Sequence, residues 1–174
     1  MGMTVKGGDM VLRGQNLDVN GIRLSVIVEG QGPDVILLHG FPDSALIWRN
    51  QIPALVQAGY RVIVPDLRGS GESEAPVGKA HYKLDFLVSD VIGIMDNLGV
   101  GKAKLVGHDW GAILGWFVTL EHPERVDRYV AISVGHPTSY KKGGIEQKIR
   151  SWYAYAFQVP FIPDAITPAF NWAF

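Results

Sequence analysis

The residue best placed to do chemistry is Asp109, in the run Val106-Gly107-His108-Asp109-Trp110-Gly111. An acid stands in a one-residue gap between an apolar strand and an apolar helix, with glycine two positions before it and two after. Such a bend strains its central residue and pushes that side chain into the open, and the flanking positions must be small to let neighbouring backbone pass. The pattern is a nucleophile elbow with aspartate where serine usually stands. Aspartate is also a common helix N-cap, so plain capping stays open as the alternative. Capping, however, needs no glycine on either flank.

A second constellation is His39-Gly40-Phe41-Pro42-Asp43, at the carboxyl end of the short apolar run Val35 to Leu38. Open parallel sheets place their ligands on that side. An elbow enzyme builds its oxyanion hole from the N–H after the nucleophile and an N–H in the loop after an earlier strand, here Trp110 and Phe41. Alone, the segment also reads as a Gly-Pro turn entering a helix. A carboxylate nucleophile suits displacement at saturated carbon, which leaves an alkyl ester on Asp109. Water must then attack the ester's own carbonyl, so the oxyanion belongs to Asp109 and the two amides serve that second step.

The elements that would position these groups follow from pattern. Leu17 to Val28 reads as two strands around the hairpin signal Asn20-Gly21. Val35 to Leu38, Arg61 to Val64, Ala103 to Val106 and Tyr129 to Val134 read as further short strands. Between them, Ser44 to Ala58 is expected to be a helix with an internal break at Pro53 and a cap at Gly59. Leu84, Leu87, Val88, Val91, Met95 and Leu98 form the stripe of a second helix, closed by Gly99. Trp110 to about Glu121 makes a third, apolar nearly all round and expected to be deeply buried. Strand and helix in alternation call for an α/β fold: a mostly parallel sheet with helices on both faces. Residues 1–135 form that core, with six strands. Residues 136–174 change character, with Ile145, Ile149, Trp152, Tyr153, Ala156 and Phe157 on one helical stripe, and read as the beginning of a helical lid.

Composition narrows the function. One domain is the expectation for 174 residues, 47% hydrophobic and 19% charged. Sixteen basic against seventeen acidic side chains leave a net charge of −1, no footprint for nucleic acid. Cysteine is absent, which excludes disulfides, thiolate chemistry and cysteine zinc sites. Met1 to Met10 lacks a signal-peptide core, and Trp152 to Phe174 is interrupted by three prolines, so a cytoplasmic protein without a membrane span is expected.

Taken together, the Gly-x-Asp-x-Gly elbow at 107–111, the His-Gly-x-Pro at 39–42 and the turn Arg68-Gly69-Ser70-Gly71-Glu72-Ser73 between them resemble the α/β-hydrolase family, in its epoxide hydrolase and haloalkane dehalogenase branch. The resemblance runs from about Leu17 to Phe174. It implies an epoxide-opening hydrolase that needs no cofactor and no metal. Asp109 is its nucleophile, the Phe41 and Trp110 amides are its oxyanion hole, and the 68–73 turn is scaffold. The segment Trp152 to Pro160 is similar to the epoxide hydrolase lid, and Tyr153 takes the place of the first tyrosine that protonates the opening ring. As a tyrosine on an apolar stripe, it also reads as packing. Phe41, Pro42, Trp110, Trp152 and Tyr153 would line the site of a small apolar electrophile. A dehalogenase is the alternative, although many have asparagine where Phe41 stands.

The family's acid and base histidine follow the elbow in chain order. Of His39, His81, His108, His122 and His136 none occupies the base position, and Ser133-Val134-Gly135 stands where one variant carries the acid. His39 and His108 are expected to be supporting hydrogen bonders. The sequence thus reads as truncated before the last two strands, unable to turn over alone. A third reading is a non-catalytic interaction module that self-associates through its open sheet edge or lid.

Overall fold

A computed structural model describes residues 4–7 and 10–138. The chain divides into two compact units, Met1–Val134 and Gly135–Phe174. The first holds strands β1 (Thr4–Gly7), β2 (Met10–Val19), β3 (Ile22–Glu29), β4 (Asp34–Leu38), β5 (Arg61–Pro65), β6 (Ala103–His108) and β7 (Val126–Ile132). Its helices are α1 (Gln51–Gln57), α2 (Leu84–Asn97) and α3 (Trp110–Glu121). Strand order is β1-β2-β3-β5-β4-β6-β7. β1, β2 and β3 run antiparallel to their neighbours, and β5, β4, β6 and β7 are parallel to one another.

The Asn20-Gly21 hairpin forms as the dipeptide predicts. Both residues have positive φ, 52° and 77°, and Val19 pairs with Ile22 across a two-residue turn. The sheet has one strand more than the sequence pattern showed, because β1 pairs with the first half of β2. β7 starts before Tyr129 and stops short of Val134, since Ser133 has φ 69° and leaves the extended conformation.

The helix expected over Ser44 to Ala58 is two pieces: a 3-10 turn, Ala45–Trp48, and α1. A proline ring inside one continuous helix would strike the carbonyl four residues back and remove a hydrogen bond. Restarting at Gln51 makes Pro53 the third helical residue, among the first-turn positions whose N–H has no helical partner anyway.

Alternation along the strands builds a core on each face. Ile36, Leu38 and Ile63 pack with Val88, Val91, Ile94 and Met95 of α2 and Leu114 and Val118 of α3. Val35, Leu37, Val62 and Val64 face the other way, onto Ala45, Trp48 and Ile52. β4 is buried on both sides, as its unbroken apolar run predicts. α3 is less buried than expected. Gly111, Ala112, Leu114, Gly115 and Val118 face the sheet, whereas Leu120 is 54% exposed. Among the described residues β7 is the edge strand next to it, with Val130 and Ile132 exposed. No helix of the described residues is long and apolar enough to cross a membrane.

Candidate active site

β6 ends at His108 and α3 begins at Trp110, so Asp109 alone makes the bend. Its φ of 52° and ψ of −121° fall where only glycine is at ease. The backbone holds it there. Asp109 N–H donates to the Ile132 carbonyl at 3.2 Å, and its own carbonyl accepts from Ala112 and Ile113 at 2.9 and 3.1 Å. The carboxylate makes no capping hydrogen bond to α3. Capping therefore does not explain the residue.

The flanking glycines are required by space. A Cβ at Gly107 would lie 2.4 Å from the Gly111 carbonyl oxygen, and one at Gly111 would lie 2.3 Å from that of Leu38. Strand and helix meet backbone to backbone on either side of the acid.

Register brings the second motif to the first. β4 and β6 are parallel neighbours with Leu38 opposite Gly107, so His39-Gly40-Phe41 leaves the sheet beside Asp109. The Phe41 N–H donates to Asp109 Oδ1 at 3.1 Å. Trp110 opens α3, and its amide is one of the four that no helical carbonyl can receive. Asp109 is half-buried, while the side chains of Phe41 and Trp110 are 57% and 56% exposed. Pro42 is exposed beside them, after a cis peptide. Trp152 and Tyr153 lie outside the described residues.

His39 is buried and bonded at both ring nitrogens, with the Gly40 carbonyl 2.7 Å from Nδ1 and the Leu67 N–H donating to Nε2 at 2.9 Å. His108 departs from the expectation, since its Nδ1 is buried without a hydrogen-bond partner. Burial pushes the His39 pKa below its ordinary value of 6.5, outweighing the Gly40 carbonyl and the charges of Asp66 and Asp43, which raise it. Because the folded value is the depressed one, the unfolded chain binds the extra proton first as pH falls. Stability should thus be whole above 6.5 and decline as pH drops from there to the folded value. Urea midpoints measured across that window should slope in the wild type and flatten in His39→Asn; identical slopes would refute a ring kept neutral by burial.

The sequence reading overlooked what braces this end of the sheet. Asp66 is buried and accepts from the Ala45 N–H at 2.8 Å and the Glu72 N–H at 3.0 Å, tying the start of the 3-10 turn to the glycine-rich turn. The Ser73 hydroxyl donates to the Asp66 carbonyl at 2.7 Å and accepts from the Ser25 N–H at 2.9 Å. Arg68 grips Asp90 of α2 through two hydrogen bonds of 2.8 Å, both side chains almost wholly buried. One signal was present: Asp90 lies among Val88, Val91 and Ile94 on an apolar stripe, where an acid needs a partner.

A mixed sheet, half of whose pairings are antiparallel where a mostly parallel one was expected, with an acid-bearing elbow after β6 and an amide-bearing loop after β4, is the architecture of an α/β hydrolase. The alpha/beta hydrolase fold family model matches residues 33–171, and the chain belongs to that family. It is 41% identical to the AB hydrolase superfamily protein YfhM of Bacillus subtilis (strain 168) over 156 residues, covering 87% of this chain and 54% of that protein. It is 39% identical to Epoxide hydrolase 4 of Homo sapiens over 150 residues, 83% of this chain and 41% of that one. Among solved structures, epoxide hydrolase VrEH1 from Vigna radiata matches with a TM-score of 0.78 at 40% identity, over 92% of this chain and 54% of that one. The chain spans about half the length of the relatives it matches.

Proposed function

We propose that this chain carries the nucleophilic half of an epoxide hydrolase. The observation that supports it most is the Asp109 carboxylate, which stands on a strained bend, caps nothing, and receives the Phe41 amide on Oδ1. With Oδ1 held, Oδ2 is the oxygen for attack. It forms a bond to an epoxide carbon as the C–O bond of the ring breaks, and the departing oxygen takes a proton. The resemblance gives the role of that acid to Tyr153, outside the described residues, and within the first unit Phe41, Pro42 and Trp110 are the residues this reading sets around the substrate. The product is an alkyl ester with Oδ1 as its carbonyl oxygen, already receiving the Phe41 amide, and the Trp110 amide is the second donor this reading assigns. Addition of water there would place the negative charge on Oδ1, where preorganised donors count most.

Water needs a general base. Neither His122, paired with Glu124 beyond α3, nor His136, against Thr138, follows the elbow in the place the reaction requires. The 174-residue polypeptide is therefore expected to be alkylated once and to stay alkylated. Intact mass after incubation with an aryl epoxide should show one adduct, localised to Asp109 and missing in Asp109→Asn. An adduct that survives the substitution, or none in the wild type, rejects the proposal. Halide release from a chloroalkane, with no reaction toward epoxides, would transfer it to the dehalogenase branch.

A further inference from the structure

We infer that His39 is a positioning residue, which orients the Gly40–Phe41 peptide and thereby aims the amide that holds the Asp109 carboxylate. The carbonyl of residue 40 and the N–H of residue 41 are two ends of one rigid plane and point in opposite directions. His39 Nδ1 meets the Gly40 carbonyl oxygen at 2.7 Å, and the Phe41 N–H meets Asp109 Oδ1 at 3.1 Å. Holding one end of the plane sets the direction of the other. Glycine at position 40 gives that rotation little resistance of its own, so an outside grip is needed.

The ring cannot choose its tautomer. Nε2 faces the Leu67 N–H, a donor, and Nδ1 faces a carbonyl, an acceptor, so the proton sits on Nδ1. At 1% exposure, little water competes for either contact. Leu67 follows β5, His39 follows β4 and Asp109 follows β6. The histidine thus carries a relay from the turn after β5 to the acid after β6: Leu67 amide to ring, ring to Gly40 carbonyl, Phe41 amide to carboxylate. Its catalytic consequence rests on the proposed role of Asp109, because Oδ1 is where charge gathers when the ester is hydrolysed.

Two substitutions separate aiming from mere anchoring. His39→Asn sets an amide donor close to where Nδ1 was and gives up the Leu67 contact. His39→Gln reaches toward Leu67 and gives up the Gly40 contact. Nitrogen NMR of the wild-type ring at neutral pH should find the proton on Nδ1. The Phe41 amide resonance should follow ionisation of Asp109 in the wild type and in His39→Asn, and cease to do so in His39→Gln. In alkylated protein, loss of the ester at mildly alkaline pH should slow by about tenfold or more in His39→Gln, toward the loss of one oxyanion donor, and by less than about threefold in His39→Asn. Unfolded samples of all three should lose it equally fast. A proton on Nε2, or a Gln variant that matches the wild type while Asn does not, overturns the inference. Failure of the wild type to form any adduct overturns the proposed function instead, and the two NMR measurements still decide the part played by His39.

Discussion

Alanine at Gly111 is expected to destabilise the chain by about 3 kcal/mol, the upper end of what overpacking costs. The added methyl would lie 2.3 Å from the Leu38 carbonyl oxygen and 2.5 Å from that of His39, and both are backbone atoms. Relief means lifting the start of α3 off β4, which moves Asp109 away from the Phe41 amide. Both the urea midpoint and adduct formation should therefore fall. Gly101→Ala is the control, since nothing lies within 4 Å of its Cβ position and its φ is not positive; it should change stability by less than about 0.5 kcal/mol. A Gly111→Ala protein within about 1 kcal/mol of the wild type would show that helix and strand do not meet as closely as described.

Replacing Arg68 by methionine should cost about 3–5 kcal/mol, the range for removing one partner of a buried ion pair. The two side chains are 2% and 5% exposed, and what remains is a buried Asp90 whose other contact is the Asn20 amide at 3.0 Å. The penalty is mostly that of stranding a charge, so Arg68→Met with Asp90→Leu should recover much of it. Denaturant unfolding of the single and double variants measures this directly. A single variant costing under about 1 kcal/mol would mean that water reaches Asp90. The site should register the damage, because Arg68 fixes the turn in which Leu67 presents its amide to His39.

Much of the candidate site was legible because a one-residue bend between strand and helix demands rare local geometry. The glycines at 107 and 111 mark backbone contact, the lone residue between β6 and α3 marks the bend, and the pairing of β4 with β6 brings the Phe41 amide to Asp109 Oδ1. Fold class was legible from the apolar strands, above all β4. β1 was not, because four residues are too few to show a period. The break before α1 was misplaced because Pro53 states only that a helix cannot pass through it, and a fresh start two residues earlier satisfies that as well. Nor could pattern reveal the pairing of Arg68 with Asp90 or the two contacts of the His39 ring, since each joins elements whose meeting depends on strand order.

The one-residue join between β6 and α3 sets a condition on length as well as on type. An inserted residue there would wind the helix by about 100° about its axis. Gly115, which now faces the Tyr129 ring, would turn away from β7, and a bulkier neighbour would be driven against that ring in its stead. A residue added or removed at the elbow would thus loosen α3 from the sheet even where every strand stays in register.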